Sequence, residues 1–162
     1  MTGKLRNMAT IYIKCDDEML MLYRIGSKVV KPSWCGVGGH FEKDELNDAK
    51  FAVLREMKEE IGLTEHDLDN FKMKYLCIRN IKNELRLNYY FFADLKCSKD
   101  RISSCNEGEL KWVKINALND LEMPFTAQEM MKHYLTVGIN DDDFYVCTVD
   151  DNLCIFSVVN ES

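Results

Sequence analysis

At 162 residues with 46% apolar content, the chain is long enough to bury one core and too short to argue for two, so residues 1–162 read as a single domain. A formal net charge of −6 argues against a protein that coats nucleic-acid polymers, which needs a basic face, but leaves room for a small anionic substrate bridged by metal. No stretch approaches the length needed to cross a bilayer, and the start, Met1 to Asn7, runs into a strand pattern with no signal-peptide core, which predicts a cytoplasmic protein that engages no membrane. The seven cysteines are odd in number and scattered, with no Cys-x-x-Cys pair, and so predict reduced thiols, mostly buried, rather than a zinc site or a disulfide framework.

Met8 to Lys14 and Met19 to Arg24 read as strands of a hairpin turning at Asp16-Asp17. A loop from Ile25 to Trp34, with Pro32 near its end, enters a short glycine-bearing strand near Cys35 to Gly39. A helix then runs to about Ile61, followed by a polar connection from Thr64 to Asn70. Lys72 to Arg79 and Leu85 to Leu95 are strand candidates joined at Lys82-Asn83-Glu84. Leu110 to Ile115 is another strand, and Thr126 to Leu135 is a second helix that follows Pro124, with Thr126 as its cap. Asp143 to Val149 and Leu153 to Val159 flank Asp150-Asp151-Asn152, which predicts a C-terminal β-hairpin over residues 143–159. That hairpin either covers the main sheet, the preferred placement, or pairs with a second copy in a homodimer. The order is that of an α/β chain.

The segment from Gly38 to Leu63 carries the chemistry. Two glycines, Gly38 and Gly39, mark a strand end where backbone turns or approaches a ligand, and Gly62 stops the helix that follows. On a helical wheel Glu56, Glu59 and Glu60 fall within roughly 100° of one another, while Val53, Leu54, Met57 and Ile61 share a different arc. Three carboxylates on one side repel each other and want a cation. Carboxylate oxygens with no nearby cysteine or histidine select a hard ion such as Mg²⁺ or Mn²⁺.

Gly39, Glu45, Arg55-Glu56, Glu59-Glu60, Gly62 and Leu63 together resemble the signature box of the Nudix hydrolases, box residues 38–63. One departure stands out: the gap between Glu45 and Arg55 is two residues longer than the family pattern, with Val53 where the arginine would fall, which reads as an insertion in the loop or first helical turn. This puts the role of Glu45 in question, since in the family that residue orients the arginine or supports the metal site, and Glu42 is an alternative for it.

The resemblance implies an α/β/α sandwich with a mixed sheet, a divalent metal, usually Mg²⁺, and hydrolysis of a nucleoside diphosphate linked to another group. It implies that Glu56, Glu59 and Glu60 hold the metal with a backbone carbonyl near Gly39, that Arg55 and Glu45 support them, and that Glu59 or the more distant Glu107 activates water. Glu109 is a neighbouring alternative to Glu107. For substrate it points to Arg24 and His40 at the phosphates, Gln128 at the nucleobase, and Trp34 and Tyr90 as stacking partners. Within the family the chain is similar to the MutT-like branch. The function this implies is pyrophosphohydrolysis of a nucleoside triphosphate, such as 8-oxo-dGTP, to a monophosphate and pyrophosphate. The alternatives are hydrolysis of a nucleotide sugar or dinucleoside polyphosphate, and a Nudix-fold regulatory module without turnover.

Overall fold

The structure, a computed structural model, describes residues 3–25 and 31–162. It contains one continuous sheet of nine strands with an α-helix on each face. The strands are β1 (Lys4–Cys15), β2 (Glu18–Arg24), β3 (Ser33–Cys35), β4 (Val37–His40), β5 (Leu68–Ile81), β6 (Glu84–Leu95), β7 (Gly108–Lys114), β8 (Tyr145–Asp150) and β9 (Leu153–Val158). The helices are α1 (Ala49–Ile61), between β4 and β5, and α2 (Phe125–Thr136), between β7 and β8.

β1 is the organising strand. Its alternation of side chains sends Ala9, Ile11 and Ile13 to one face, where they pack with Val53, Met57 and Ile61 of α1. Tyr12 points to the other face and packs with Met130, Met131 and Tyr134 of α2, so both sides of the strand are covered. Burying each such aliphatic or aromatic side chain contributes about 1.5–3 kcal/mol, which is what pins the helices to their faces.

β1 and β2 form a tight hairpin at Asp16-Asp17, but only Lys14 with Met19 and Cys15 with Glu18 pair across it. Beyond that point the strands fork, and β4 pairs with β1 from Met8 to Ile11 while β3 pairs with β2 from Leu22 to Arg24. The expected single strand near Cys35 to Gly39 is therefore two strands bent at Gly36. A side chain there would meet the Ile11 carbonyl at 2.6 Å, so the fork closes only around glycine.

On its far side β1 runs parallel to β6, which pairs antiparallel with β5 through a Lys82-Asn83 turn in which both residues have positive φ. The C-terminal hairpin joins the main sheet, with β8 lying parallel to β5 from Tyr75–Tyr145 to Arg79–Val149. Several boundaries differ from expectation. Of the loop expected from Ile25 to Trp34, residues 26–30 lie outside the described residues, and Ser33–Cys35 is strand. The polar connection after α1 is shorter, since a turn at Glu65–Asp67 leads straight into β5 at Leu68. β7 begins at Gly108 rather than Leu110. Thr126 does not cap α2: Pro124 occupies the cap position and Thr126 is buried in the first turn. All seven cysteines are free, with Cys77 and Cys147 fully buried and the others partly so.

Candidate active site

Helix α1 starts late enough to absorb the longer spacing before Arg55. A 3-10 turn at Lys43–Glu45 and a turn at Leu46-Asn47 take up the chain, and the Asp48 carboxylate then caps α1 by accepting from the Phe51 N–H at 2.9 Å. Gly62 ends the helix in the left-handed region at φ 75°, its N–H donating to the Lys58 carbonyl.

Glu45 reaches Arg55 despite the two extra residues. Its carboxylate, 1% exposed, accepts from Arg55 Nε at 2.5 Å and Nη2 at 3.0 Å, a bidentate pair. The other Arg55 hydrogens go to Glu56 at 2.9 Å, Glu59 at 3.0 Å and the His40 carbonyl at 3.1 Å. All five donors of this guanidinium are thereby used, and the pairing holds the Glu45 carboxyl below the usual carboxylate range. Glu42 stays at the margin, 4.0 Å from Arg55 Nε.

The second cation of the site is Arg24, at the end of β2. Its Nη2 donates to the Gly38 carbonyl at 3.0 Å and lies 3.3 Å from Glu60 and 3.4 Å from Glu107. The Gly38 N–H in turn donates to the other oxygen of Glu60 at 3.1 Å. Thus the carbonyl that faces this cluster is that of Gly38, while Gly39 supplies room: a Cβ on it would lie 2.7 Å from the Glu56 carboxylate. Glu60 is 6% exposed, and burial pushes its carboxyl up to about 7 against the opposing pull of Arg24 and the Gly38 N–H. Burial raises Glu56 as well, against the pull of Arg55. Glu59, 58% exposed, sits at the rim, and Glu107 is also open to water.

Among the described residues no three carboxylate, cysteine or histidine side chains converge to hold an ion as they stand. Glu56 and Glu59 turn to Arg55, and Glu60 and Glu107 to Arg24. The donor chemistry nevertheless fits a hard cation: a single Arg24 nitrogen draws two carboxylates and a backbone carbonyl, an oxygen-only set around positive charge. Burial displaces the carboxyls of buried Glu60 and part-buried Glu56 upward, a penalty on their charge that a cation at this place would offset.

Beside the carboxylates opens a cavity of about 450 Å³ between the α2 face of the sheet and the start of α2. Among the described residues its walls hold Arg6, Arg24, Lys31, Arg79 and Arg86 and no aspartate or glutamate, with Glu60 and Glu107 reaching Arg24, Glu122 reaching Lys31 and Glu84 reaching Arg86 from outside the wall. Two buried guanidinium nitrogens that lack a hydrogen-bond partner among the described residues, Arg6 Nε and Arg24 Nε, belong to residues of this wall. Buried polar groups are normally paired, so such orphans around one cavity mark it as a place for a polar ligand.

The expected substrate residues divide around this cavity. Arg24, His40 and Tyr90 line it. The His40 ring accepts from Arg6 Nη2 at 3.1 Å, and burial together with Arg6 lowers its pKa, which keeps the ring neutral. Trp34 packs instead against Tyr23, with ring centroids 5.0 Å apart. Gln128 lies one residue beyond the segment of α2 that reaches the cavity, Pro124 to Ala127, so Thr126 faces the chamber where the glutamine was expected. Cys35 is in the wall too, but burial pushes its thiol up to about 11 and leaves it no thiolate nucleophile. Sequence reasoning missed Arg6, Arg79 and Arg86, whose only signal is an arginine at alternate positions of three separate strands.

The profile of the NUDIX domain matches residues 4–134. A search of curated protein sequences finds no match. Among solved structures, the chain is similar to the mutator MutT protein from Bacillus halodurans at 20% identity, covering 97% of this chain and 99% of that one, with a TM-score of 0.69. The MutT protein from Methanosarcina mazei Go1 follows at 18% identity, 87% and 99% coverage and TM-score 0.67. A C. elegans Ap4A hydrolase shares the fold at 18% identity, 85% and 99% coverage and TM-score 0.64. With the family profile spanning β1 to α2 and Arg55, Glu56, Glu59 and Glu60 of the box together on one helix, this chain belongs to the Nudix family.

Proposed function

We propose that the protein is a metal-dependent pyrophosphohydrolase that cleaves a nucleoside triphosphate to a monophosphate and pyrophosphate. The observation that carries this reading is the juxtaposition of the α1 carboxylates with an acid-free, arginine-lined cavity. A site for a neutral metabolite would not gather five permanent cations, and a regulatory module would not need Glu56, Glu59 and Glu60 intact on one helix face.

Glu56, Glu59, Glu60 and the Gly38 carbonyl are the oxygens that would hold Mg²⁺ or Mn²⁺, with Glu107 close by. The ion, when bound, neutralises phosphate oxygens and lowers the pKa of a coordinated water. The protein's own groups do the rest. Arg55 fixes the directions of Glu56 and Glu59, and buried Glu45 fixes Arg55. Arg24 and His40 offer charge and a ring nitrogen to the phosphate chain from the cavity side. Water attacks one phosphorus, the bridging P–O bond breaks, and pyrophosphate departs. The attacking water's proton passes to Glu59 or Glu107, the two carboxylates of the cluster most open to water.

The test is release of pyrophosphate and phosphate from a panel of 8-oxo-dGTP, ordinary nucleoside triphosphates, nucleotide sugars and dinucleoside polyphosphates, with Mg²⁺ and with EDTA. Metal-dependent pyrophosphate release from a triphosphate supports the reading. Cleavage confined to a sugar or dinucleoside substrate replaces the substrate, and silence across the panel overturns the hydrolase.

A further inference from the structure

Arg6, Arg86 and Arg79 are direct register partners on three adjacent strands, β1, β6 and β5, and all three line the same cavity. Two inter-strand spacings make the row about 10 Å long at the backbone. It begins beside the carboxylate site, where Arg6 meets His40, and ends under α2, where the Arg79 guanidinium lies 4.8 Å from the Phe125 ring centroid.

Among the described residues no acidic side chain lines the cavity wall to answer this charge. Arg86 has one ion pair, Nε to Glu84 at 2.8 Å, from outside the wall. Arg6 Nε is buried and has no hydrogen-bond partner among the described residues. Like charges in register across strands destabilise a sheet, so three arginines in line call for a bound anion. The start of α2 points the same way. Phe125, Thr126 and Ala127 occupy its first turn behind Pro124, no side chain caps their N–H groups, and the first helical bond is made only by the Gln128 N–H. The fully buried Tyr12 belongs to the same chamber.

We propose that the Arg86–Arg79 end of this row, with the first turn of α2, is a second phosphate site, so that the substrate carries a phosphoryl group separate from the anhydride cleaved at the carboxylates. The inference rests on the hydrolase reading for its catalytic end and narrows its substrate to a nucleotide with a further phosphate. That group is a monoester phosphate on the ribose. A guanidinium fork and uncapped N–H groups suit a phosphate dianion better than any base edge.

The experiment is calorimetric titration of the Mg²⁺-loaded protein with AMP and with adenosine 3′,5′-bisphosphate, neither of which has an anhydride to cut. In parallel, kcat/KM is measured for ATP and for adenosine 3′-phosphate 5′-triphosphate. The expected result is a preference of at least about tenfold for the 3′-phosphorylated member of each pair. The first pair reads binding alone, the second turnover. In the Arg79→Gln/Arg86→Gln double variant that ratio falls toward one, and in Arg79→Lys/Arg86→Lys, which keeps the charge but loses the fork, it lies between. Equal behaviour within both pairs overturns the proposal, as does an equal loss for both members in the neutral variant. A binding preference without turnover of any substrate retains the phosphate site and sinks the hydrolase reading alone.

Discussion

Replacing Glu60 by glutamine should stabilise the metal-free protein while abolishing its activity. The Glu60 carboxyl is raised from 4.5 to about 7 by burial, with Arg24 and the Gly38 N–H only partly offsetting it. A folded-state pKa above the unfolded one means that the native state holds the proton more tightly between those values. Stability is therefore greatest below pH 4.5 and falls as pH rises through 7. The difference is about 3 kcal/mol once the group is fully ionised, at 1.36 kcal/mol for each pH unit. Glutamine keeps an acceptor for the Gly38 N–H and removes the charge, so the variant resembles the protonated wild type at every pH. For a chain of this length the gain at pH 8 corresponds to a rise in Tm of roughly 6–12 °C. Thermal unfolding by circular dichroism in EDTA at pH 5, 6, 7 and 8 reads it directly: the two proteins start together and diverge, the wild type losing stability. Curves that stay parallel from pH 5 to 8 would refute the claim that Glu60 is a destabilising buried charge in the absence of metal.

Arg55→Ala strands the buried Glu45 carboxylate and should cost about 3–5 kcal/mol, with Glu45→Gln on top of it restoring part of the loss in urea unfolding. Glu59→Gln, at an exposed position, should leave stability within about 0.5 kcal/mol while lowering kcat by at least about a hundredfold; an active variant would remove Glu59 from the mechanism. Gly39→Ala places a methyl 2.7 Å from the Glu56 carboxylate and should cut kcat more than stability, whereas Gly38→Ala, whose Cβ would lie 2.0 Å from the Ala9 carbonyl, should fail to fold; expression yield and Tm separate the two. Thr126→Val should lower kcat/KM more than Gln128→Ala, since Thr126 lines the chamber and Gln128 lies beyond it; the reverse outcome returns a substrate role to the glutamine.

Much of this arrangement was legible because it rests on local rules. Period-two patterns and the turns at Asp16-Asp17, Lys82-Asn83 and Asp151-Asn152 gave the hairpins, and the offset of Gly62 from Glu56 gave the carboxylate helix. What stayed hidden depends on pairing between distant segments. The fork between β1 and β2 is invisible in a stretch that reads as one continuous hairpin, because the strands that fill it, β3 and β4, come later. Arg24 reads as an ordinary strand-end cation until the fork brings Gly38 against it. The arginine row required the parallel register of β1 with β6, which no local periodicity encodes. The two residues added before Arg55 left the role of Glu45 open in the sequence, yet they are spent in a surface turn and the Glu45–Arg55 pair closes over them.

The C-terminal hairpin lies beyond the residues that the family profile matches, 4–134, yet β8 pairs with the strand that carries Arg79. The register of the cavity's outer wall is thus underwritten by a segment outside the matched domain profile. Change in this tail can retune what the chamber accepts while the carboxylate helix stays under its own constraint, so selectivity and chemistry are free to evolve on separate pieces of chain.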